Sequence, residues 1–343
     1  MSAAHPTGNS VLMLRPFALL LTRIGIDGER FLVDLGVSPG SPVDAYIPHV
    51  RVDGSLEAIA AGRGDASFGI TLAREAATRA PLGLYGHLIW LSGTLRDALV
   101  RGARFYPLVT QRATLALDVA DSGDTGAARL TQRMLAGAAR GRILSEYLFA
   151  SLVLRARRFT GAAFRTRAMH FAHAGPRDRA GAAPYEALFG TSVTFDEDGQ
   201  GLDALTFDAS LLDLPLSTAD PFAAEAIEAQ LSPLQARADL PWVEQLRLVV
   251  RAELVAGRPS IPSMARRLGM SDRVLRRQLE QHGASLRELV ASAQAELATE
   301  RLARGASIKE VAFELGFSQP SAFSRAYKRW TGKAPSSSRA VGP

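Results

Sequence analysis

The sequence predicts an α+β amino-terminal domain joined to an all-α carboxy-terminal domain, in which two helix-turn-helix subdomains are linked by a long helix. Three observations lead there. A short motif occurs twice near the carboxyl end, the basic surplus of the chain is confined to that same stretch, and the preceding residues mix helical and strand periodicities. Mixed periodicity of this kind argues against one uniform bundle.

The repeated motif reads Ala265-Arg266-Arg267-Leu268-Gly269-Met270-Ser271 and again Ala312-Phe313-Glu314-Leu315-Gly316-Phe317-Ser318, with Ala, Gly and Ser each recurring after 47 residues. A small residue lets a second helix cross closely, a glycine takes the tight turn, and a serine is expected to cap the helix that follows. One copy would be a weak signal. Two copies, each followed by a basic amphipathic helix, make DNA binding the leading reading. Charge supports it: residues 241–343 hold 17 Lys+Arg against 9 Asp+Glu, a balance of +8, while the other 240 residues hold 23 against 25, a balance of −2. A basic module beside a near-neutral one is the electrostatic footprint of a DNA reader.

Within the carboxy-terminal domain, 241–333, a first helix is expected over 242–256, with Val243, Leu246, Val249, Val250 and Leu254 on one stripe. Ser260 or Ser263 can cap a short helix through Leu268. Ser271 is expected to cap the next, which buries Leu275 and Leu279 and turns Arg273, Arg276, Arg277 and Glu280 outward. Arginine can bridge guanine O6 and N7, so these three arginines are candidate base contacts. Ser285 with Glu288 and Ser307 with Glu310 read as capping boxes, the first opening a long helix to about residue 304. In the helix after Ser318, the spacing of Phe323, Tyr327 and Trp330 predicts a buried aromatic stripe. Gln319, Ser321 and Arg325 are its candidate base contacts, and Ser271, Ser318, Lys328, Arg329 and Lys333 are candidate phosphate contacts. Residues 334–343 read as a flexible tail.

Toward the amino terminus, 1–14 reads as a tail and 15–219 as a domain, followed by a helix-bearing linker over 220–240. The apolar runs 11–14 and 17–21, split by Arg15-Pro16, read as the start of a core helix. They are too short to cross a membrane and lack the flanks of a secretory leader. Helices are expected over 16–24, 55–61, 94–105 and 142–159, and strands over 114–119, 165–171, 192–195 and 204–207. Asp196-Glu197-Asp198 reads as a polar hairpin turn. With no cysteine, disulfide, thiol and thiolate-zinc chemistry are excluded. His170 and His173 have suggestive spacing but no third ligand in view, and Gly62-Arg63-Gly64-Asp65 lacks the third glycine of a dinucleotide loop. No catalytic residue, cofactor, metal or membrane partner is expected, and a cytoplasmic location fits.

Residues 241–339 resemble the AraC/XylS family of transcription regulators, most specifically through the run from Gly316-Phe317-Ser318-Gln319-Pro320 to Tyr327-Lys328-Arg329-Trp330-Thr331-Gly332, followed by Pro335. The resemblance implies two helix-turn-helix units entering successive major grooves on one DNA face. The family's base-reading positions fall on Arg273, Arg276 and Arg277, then on Gln319, Pro320, Ser321 and Arg325. Pro320 departs from the pattern because it has no hydrogen-bonding side chain, and Ser338 stands where the family often has an aromatic. Residues 15–215 resemble the effector-binding and dimerisation domain of one subgroup, through Asp44, Ile47-Pro48, Gly64-Asp65, Phe68-Gly69-Ile70, Leu82-Gly83, Gly86 and Ser92-Gly93-Thr94-Leu95-Arg96-Asp97-Ala98. That resemblance implies a small-molecule effector, a homodimer and contact with RNA polymerase. Two alternatives stand beside a sequence-specific regulator. One is a small-molecule enzyme fused to a DNA-binding module; the other is a non-specific DNA-coating protein, for which basic charge alone would suffice.

Overall fold

The computed structural model describes residues 8–41, 43, 45–78, 83–119, 126–135, 141–161, 164–176, 178–196, 201–238, 240, 242–257, 259–268 and 272–338. The chain divides into two compact units, Pro6–Asp239 and Leu240–Pro343.

In chain order the larger unit contains β1 (Gly8–Ser10), α1 (Val11–Arg23), α2 (Gly28–Asp34), β2 (Tyr46–Pro48), α3 (His49–Arg63), α4 (Phe68–Ala77), α5 (Gly83–Trp90) and α6 (Leu95–Arg104). It continues with β3 (Ala113–Val119), β4 (Ala127–Met134), α7 (Arg142–Thr160), β5 (Thr166–Phe171), α8 (Arg179–Phe189), β6 (Val193–Phe195), β7 (Asp203–Asp208) and α9 (Pro221–Ala238). Strands β1 and β2 form a small antiparallel pair; the main sheet has the order β3-β4-β7-β5-β6, with only β5 and β6 parallel. Its register lines up Leu117, Leu130, Leu205, Met169 and Val193 in one row across all five strands. That apolar row packs in one core cluster with Phe149, Val153 and Ala156 of α7, so one side of the sheet is closed by the longest helix of the unit.

This topology corrects the hairpin reading of Asp196-Glu197-Asp198. Strands β6 and β7 are not neighbours, because β5 lies between them; the chain must cross over β5 and cannot turn back on itself. Residues 197–200 lie outside the described residues. The stretch read as a tail contains β1 and the first turns of α1, where Ser10 accepts a bond from the Met13 amide (3.2 Å) and Leu14 is buried.

The residues that carried the amino-terminal resemblance hold structural posts. Gly64 ends α3 in the left-handed conformation, and Asp65 then accepts bonds from the Ser67 amide and the Thr71 hydroxyl at the start of α4. A Cβ on Gly69 would come within 2.5 Å of the Glu146 Cβ and 2.6 Å of the Ile143 carbonyl, so α4 and α7 can cross there only over a glycine. Thr94 and Asp97 form a complete capping box on α6. Asp44 and Leu82 lie outside the described residues. Helix α9, in the stretch read as a linker, is docked on the larger unit: Glu228 pairs with Arg101 and Arg104 of α6, and Leu231 is buried with Leu88, Phe105 and Leu108.

The smaller unit is all helical among its described residues: α10 (Trp242–Ala256), α11 (Ile261–Arg267), α12 (Asp272–Gln281), α13 (Leu286–Ala303), α14 (Ile308–Glu314) and α15 (Pro320–Thr331). A 3-10 turn over Pro335–Ser338 follows and packs on α13 with Pro335 buried, within the stretch expected to be a loose tail. Arg339 and the residues after it lie outside the described ones.

Candidate nucleic-acid interface and effector cavity

Helix α13 builds both halves of the smaller unit. Its Leu289 and Ala293 join Trp242, Leu246, Val250, Met264, Leu275 and Leu279 in one core, and its Ala298 and Leu302 join Val311, Ala312, Phe323 and Tyr327 in another. The motif alanines Ala265 and Ala312 are buried at equivalent places, and Gly316 takes a left-handed turn (φ +80°) between α14 and α15. Gly269, Met270 and Ser271 lie outside the described residues.

Helix α12 is sharply two-sided. Leu275, Gln278 and Leu279 are buried, while Arg273, Arg276, Arg277 and Glu280 are exposed. On α15, Phe323, Ala326 and Tyr327 are buried, the Tyr327 hydroxyl lies 2.8 Å from Thr299 Oγ1, and Phe317 packs edge-on against Phe323. Phe323 and Tyr327 of the expected aromatic stripe are therefore core, while Trp330 is half-buried against the same cluster. Gln319, Ser321, Arg325, Lys328, Arg329 and Lys333 are exposed.

Two capping expectations are corrected. Helix α15 starts with Pro320, and Gln319 occupies the capping position with no side-chain bond, so Ser318 stands one residue outside the cap. Proline is preorganised for the first helical position and has no amide to satisfy, which is why it sets the boundary. Ser285 sits at the cap of α13 but makes no capping bond with its side chain, whereas Ser307 and Glu310 form the full reciprocal box. At the start of α11, Ser260 and Ser263 exchange bonds, each side-chain oxygen accepting from the other's amide.

Four acids of this unit, Glu244, Glu296, Glu300 and Glu314, are drawn to other arginines. Arg247 pairs with Glu244 and Glu296, Arg251 with Glu296 and Glu300, and Arg301 with Glu314, tying α10 to α13 and α13 to α14. Among the described residues, Arg273, Arg276, Arg277, Arg325, Lys328, Arg329 and Lys333 form no salt bridge. The outward faces of α12 and α15 thus carry cations that no salt bridge engages, which is what a phosphate backbone attracts.

The larger unit contains a cavity of about 170 Å³ among α1, α5, α6, β3, β4 and α7. Phe17, Trp90 and Tyr147 form much of its apolar wall, and Asn9, Arg112, Gln132 and Arg155 contribute polar groups. Arg112 pairs with Asp53, while Arg155 donates to the Ala76 carbonyl (2.5 Å). Burial pushes the Arg155 guanidinium below its usual range, with Arg158 adding to the effect and Tyr147 opposing it. Gln132 donates to the Tyr106 hydroxyl and accepts from Ser145. The sequence reading missed these arginines. A signal existed for one of them: Arg155 interrupts the apolar stripe of Leu148, Leu152 and Phe159 on α7.

On α7, Glu146 is fully buried and accepts from the Tyr185 hydroxyl (2.7 Å) and Arg142 (3.0 Å). Burial pushes its carboxyl up to about 7 against the pull of those two partners. His170 lies 2.9 Å from Thr194 Oγ1, whereas the His173 ring is tilted against Phe171 and Phe195, so the two histidines face different neighbours. Among the described residues no cluster of three or more metal-ligating side chains occurs, and no helix is long and apolar enough to cross a membrane.

Two protein families match stretches of the chain. A family described as the arabinose-binding domain of AraC transcription regulator, N-term, matches residues 25–216, and a helix-turn-helix domain family matches residues 264–340. The ornithine utilization regulator of Pseudomonas aeruginosa is 29% identical over 280 residues, covering 80% of this chain and 79% of that protein. The HTH-type transcriptional regulator VirS of Mycobacterium tuberculosis is 27% identical over 335 residues, 94% of each chain. The crystal structure of the transcriptional regulator CdpR from Pseudomonas aeruginosa aligns with a TM-score of 0.41 at 19% identity, covering 94% of this chain and 96% of that one.

Proposed function

The chain belongs to the AraC family of transcription regulators, and from that premise we propose which of its residues meet DNA and how the protein works. It is a transcription regulator with an amino-terminal ligand-binding domain and a carboxy-terminal helix-turn-helix DNA-binding domain. In the proposed complex α12 and α15 enter successive major grooves on one face of the duplex. Arg273, Arg276 and Arg277 meet base edges in the first groove, and Gln319, Ser321 and Arg325 do so in the second. Ser318, Lys328, Arg329 and Lys333 hold phosphates, as does Ser271, the counterpart of Ser318 in the first copy of the motif. The observation that carries this reading is the exposed, unbridged arginine face of α12, set in a unit where Arg247, Arg251 and Arg301 are engaged by acids.

Two copies of the chain pair in the cytoplasm, and the bound regulator contacts RNA polymerase. Ligand in the larger unit biases one arrangement of the DNA-binding units over another, a shift of populations with no catalytic step. Footprinting on DNA upstream of its own and neighbouring genes tests this. Protection of two adjacent major-groove segments per chain, altered by an effector, is the expected result. Uniform coating of every duplex at physiological salt would overturn the sequence-specific reading, and a ligand recovered chemically altered would favour an enzyme.

A further inference from the structure

The outward faces of α12 and α15 carry different chemistry, which sets what kind of sequence each can select, an inference that rests on the DNA-binding reading above. The buried pairs Leu275/Leu279 and Phe323/Tyr327 bring the two helices into phase, because each pair is spaced i, i+4 and lies 48 residues from its counterpart. In that phase Arg273 of α12 corresponds to Ser321 of α15, Arg276 to Ser324, Arg277 to Arg325 and Glu280 to Lys328. Only one of the arginines is kept. Ser324 is also spent, since its hydroxyl donates to the Pro320 carbonyl of its own helix (2.9 Å).

An arginine side chain carries donors and no acceptor. In the major groove guanine presents a pair of acceptors, O6 and N7. Adenine offers one acceptor beside a donor, thymine one acceptor beside a methyl, and cytosine only a donor. The exposed arginines of α12 therefore match guanines. Glu280 adds an acceptor to the same face. It follows Arg276 and Arg277 at spacings that let side chains meet on a helix, yet it forms no salt bridge among the described residues. A free carboxylate can accept from N4 of cytosine, the base opposite guanine. On α15 the first turn presents instead the exposed Gln319 amide, which makes no capping bond, then Pro320 and the exposed Ser321 hydroxyl. A free amide matches N6 and N7 of adenine, whereas a hydroxyl discriminates little. No Asp or Glu occurs in α15, and Lys328 and Arg329 in its last turn suit phosphates.

We propose that the operator has unequal halves. One is a G·C-rich segment, its guanines facing Arg273, Arg276 and Arg277, which α12 reads stringently. The other is read by α15 at fewer positions, with Gln319 selecting an adenine and Arg325 a guanine.

The test is selection from a randomised duplex library by the full-length protein at physiological salt, followed by affinity measurements on the selected duplex. Two enriched segments about one helical turn apart are expected, the more sharply defined one rich in G·C pairs. Replacing a contacted guanine there by adenine should weaken binding about 5–100-fold. Arg273→Ala, Arg276→Ala and Arg277→Ala should each erase that preference at one position and leave the thermal midpoint unchanged. Gln319→Ala should relax one adenine of the other segment and nothing in the first. The selection on the unaltered protein stands even if a variant does not fold. Two equally defined segments, an A·T-rich segment relaxed by the α12 variants, or arginine variants that weaken every duplex by the same factor would overturn the proposal and leave DNA binding intact. Enrichment of no sequence would instead overturn the sequence-specific reading beneath it.

Discussion

The two units treat charge in opposite ways. The larger one buries it: Arg112, Arg155 and Glu146 are all at most 5% exposed, and each is engaged, by Asp53, by the Ala76 carbonyl, and by Tyr185 with Arg142. Ionic groups inside a protein need such partners because desolvation is expensive. The smaller unit spreads its cations on the surface and ties helices together with acids at Arg247, Arg251 and Arg301. Interior charge makes part of the cavity wall polar; surface charge is available to a polyanion. The two regions are thus specialised for a small ligand and a large one by where they put the same residue type.

The contrast breaks most visibly at Arg112. Arg112→Ala leaves Asp53, whose side chain is 17% exposed, without its cation, and is expected to cost about 3–5 kcal/mol in denaturant unfolding of the larger unit. A loss under about 1 kcal/mol would put this pair in the class of surface bridges and erase the distinction. Arg276→Ala should do the reverse. Stability should hold within about 0.5 kcal/mol, while binding to the specific site weakens by about 1–3 kcal/mol. Equal losses on specific and random duplexes would reassign Arg276 to a phosphate.

Titration sharpens the same comparison. The folded protein holds the Glu146 carboxyl at about 7, above its ordinary value, so the folded state keeps the proton more tightly than the unfolded chain. Its contribution to stability is complete below the ordinary carboxyl range and is lost as pH rises through 7. The slope reaches at most about 1.4 kcal/mol per pH unit. Glu146→Gln should flatten that part of the stability profile; an unchanged slope would mean the carboxylate is already ionised inside the fold. The smallest effect separates two serines of the smaller unit. Ser307→Ala removes a complete capping box and should cost about 1 kcal/mol by thermal melting. Ser285→Ala removes no capping bond and should stay within about 0.5 kcal/mol.

What the sequence made legible follows from range. Helical periodicity is local, so the two-sided character of α12 and the Phe323–Tyr327 stripe could be read directly. So could the capping box at Ser307. Strand β4 escaped because Arg129 and Arg133 alternate with a core side that includes Gln132, and no clean apolar pattern survives. Helices α4 and α5 escaped for a different reason: they are short and closely followed or preceded by glycines that read as loops. The hairpin error at Asp196 came from treating consecutive strands as partners, when β7 finds β4 and β5 through long-range pairing. Likewise Asn9, Arg112 and Arg155 converge on one cavity from distant parts of the chain, and only the fold brings them together.

Helix α13 has 18 residues, about 27 Å of continuous backbone, and supplies side chains to both cores beside it. In the proposed complex it serves as a ruler, setting the phase between the two reading heads. Moving the two halves of an operator apart by about five base pairs rotates one of them to the far side of the duplex. A rod anchored in two cores cannot wind after it, so such an insertion should silence one head without altering a base that either one touches.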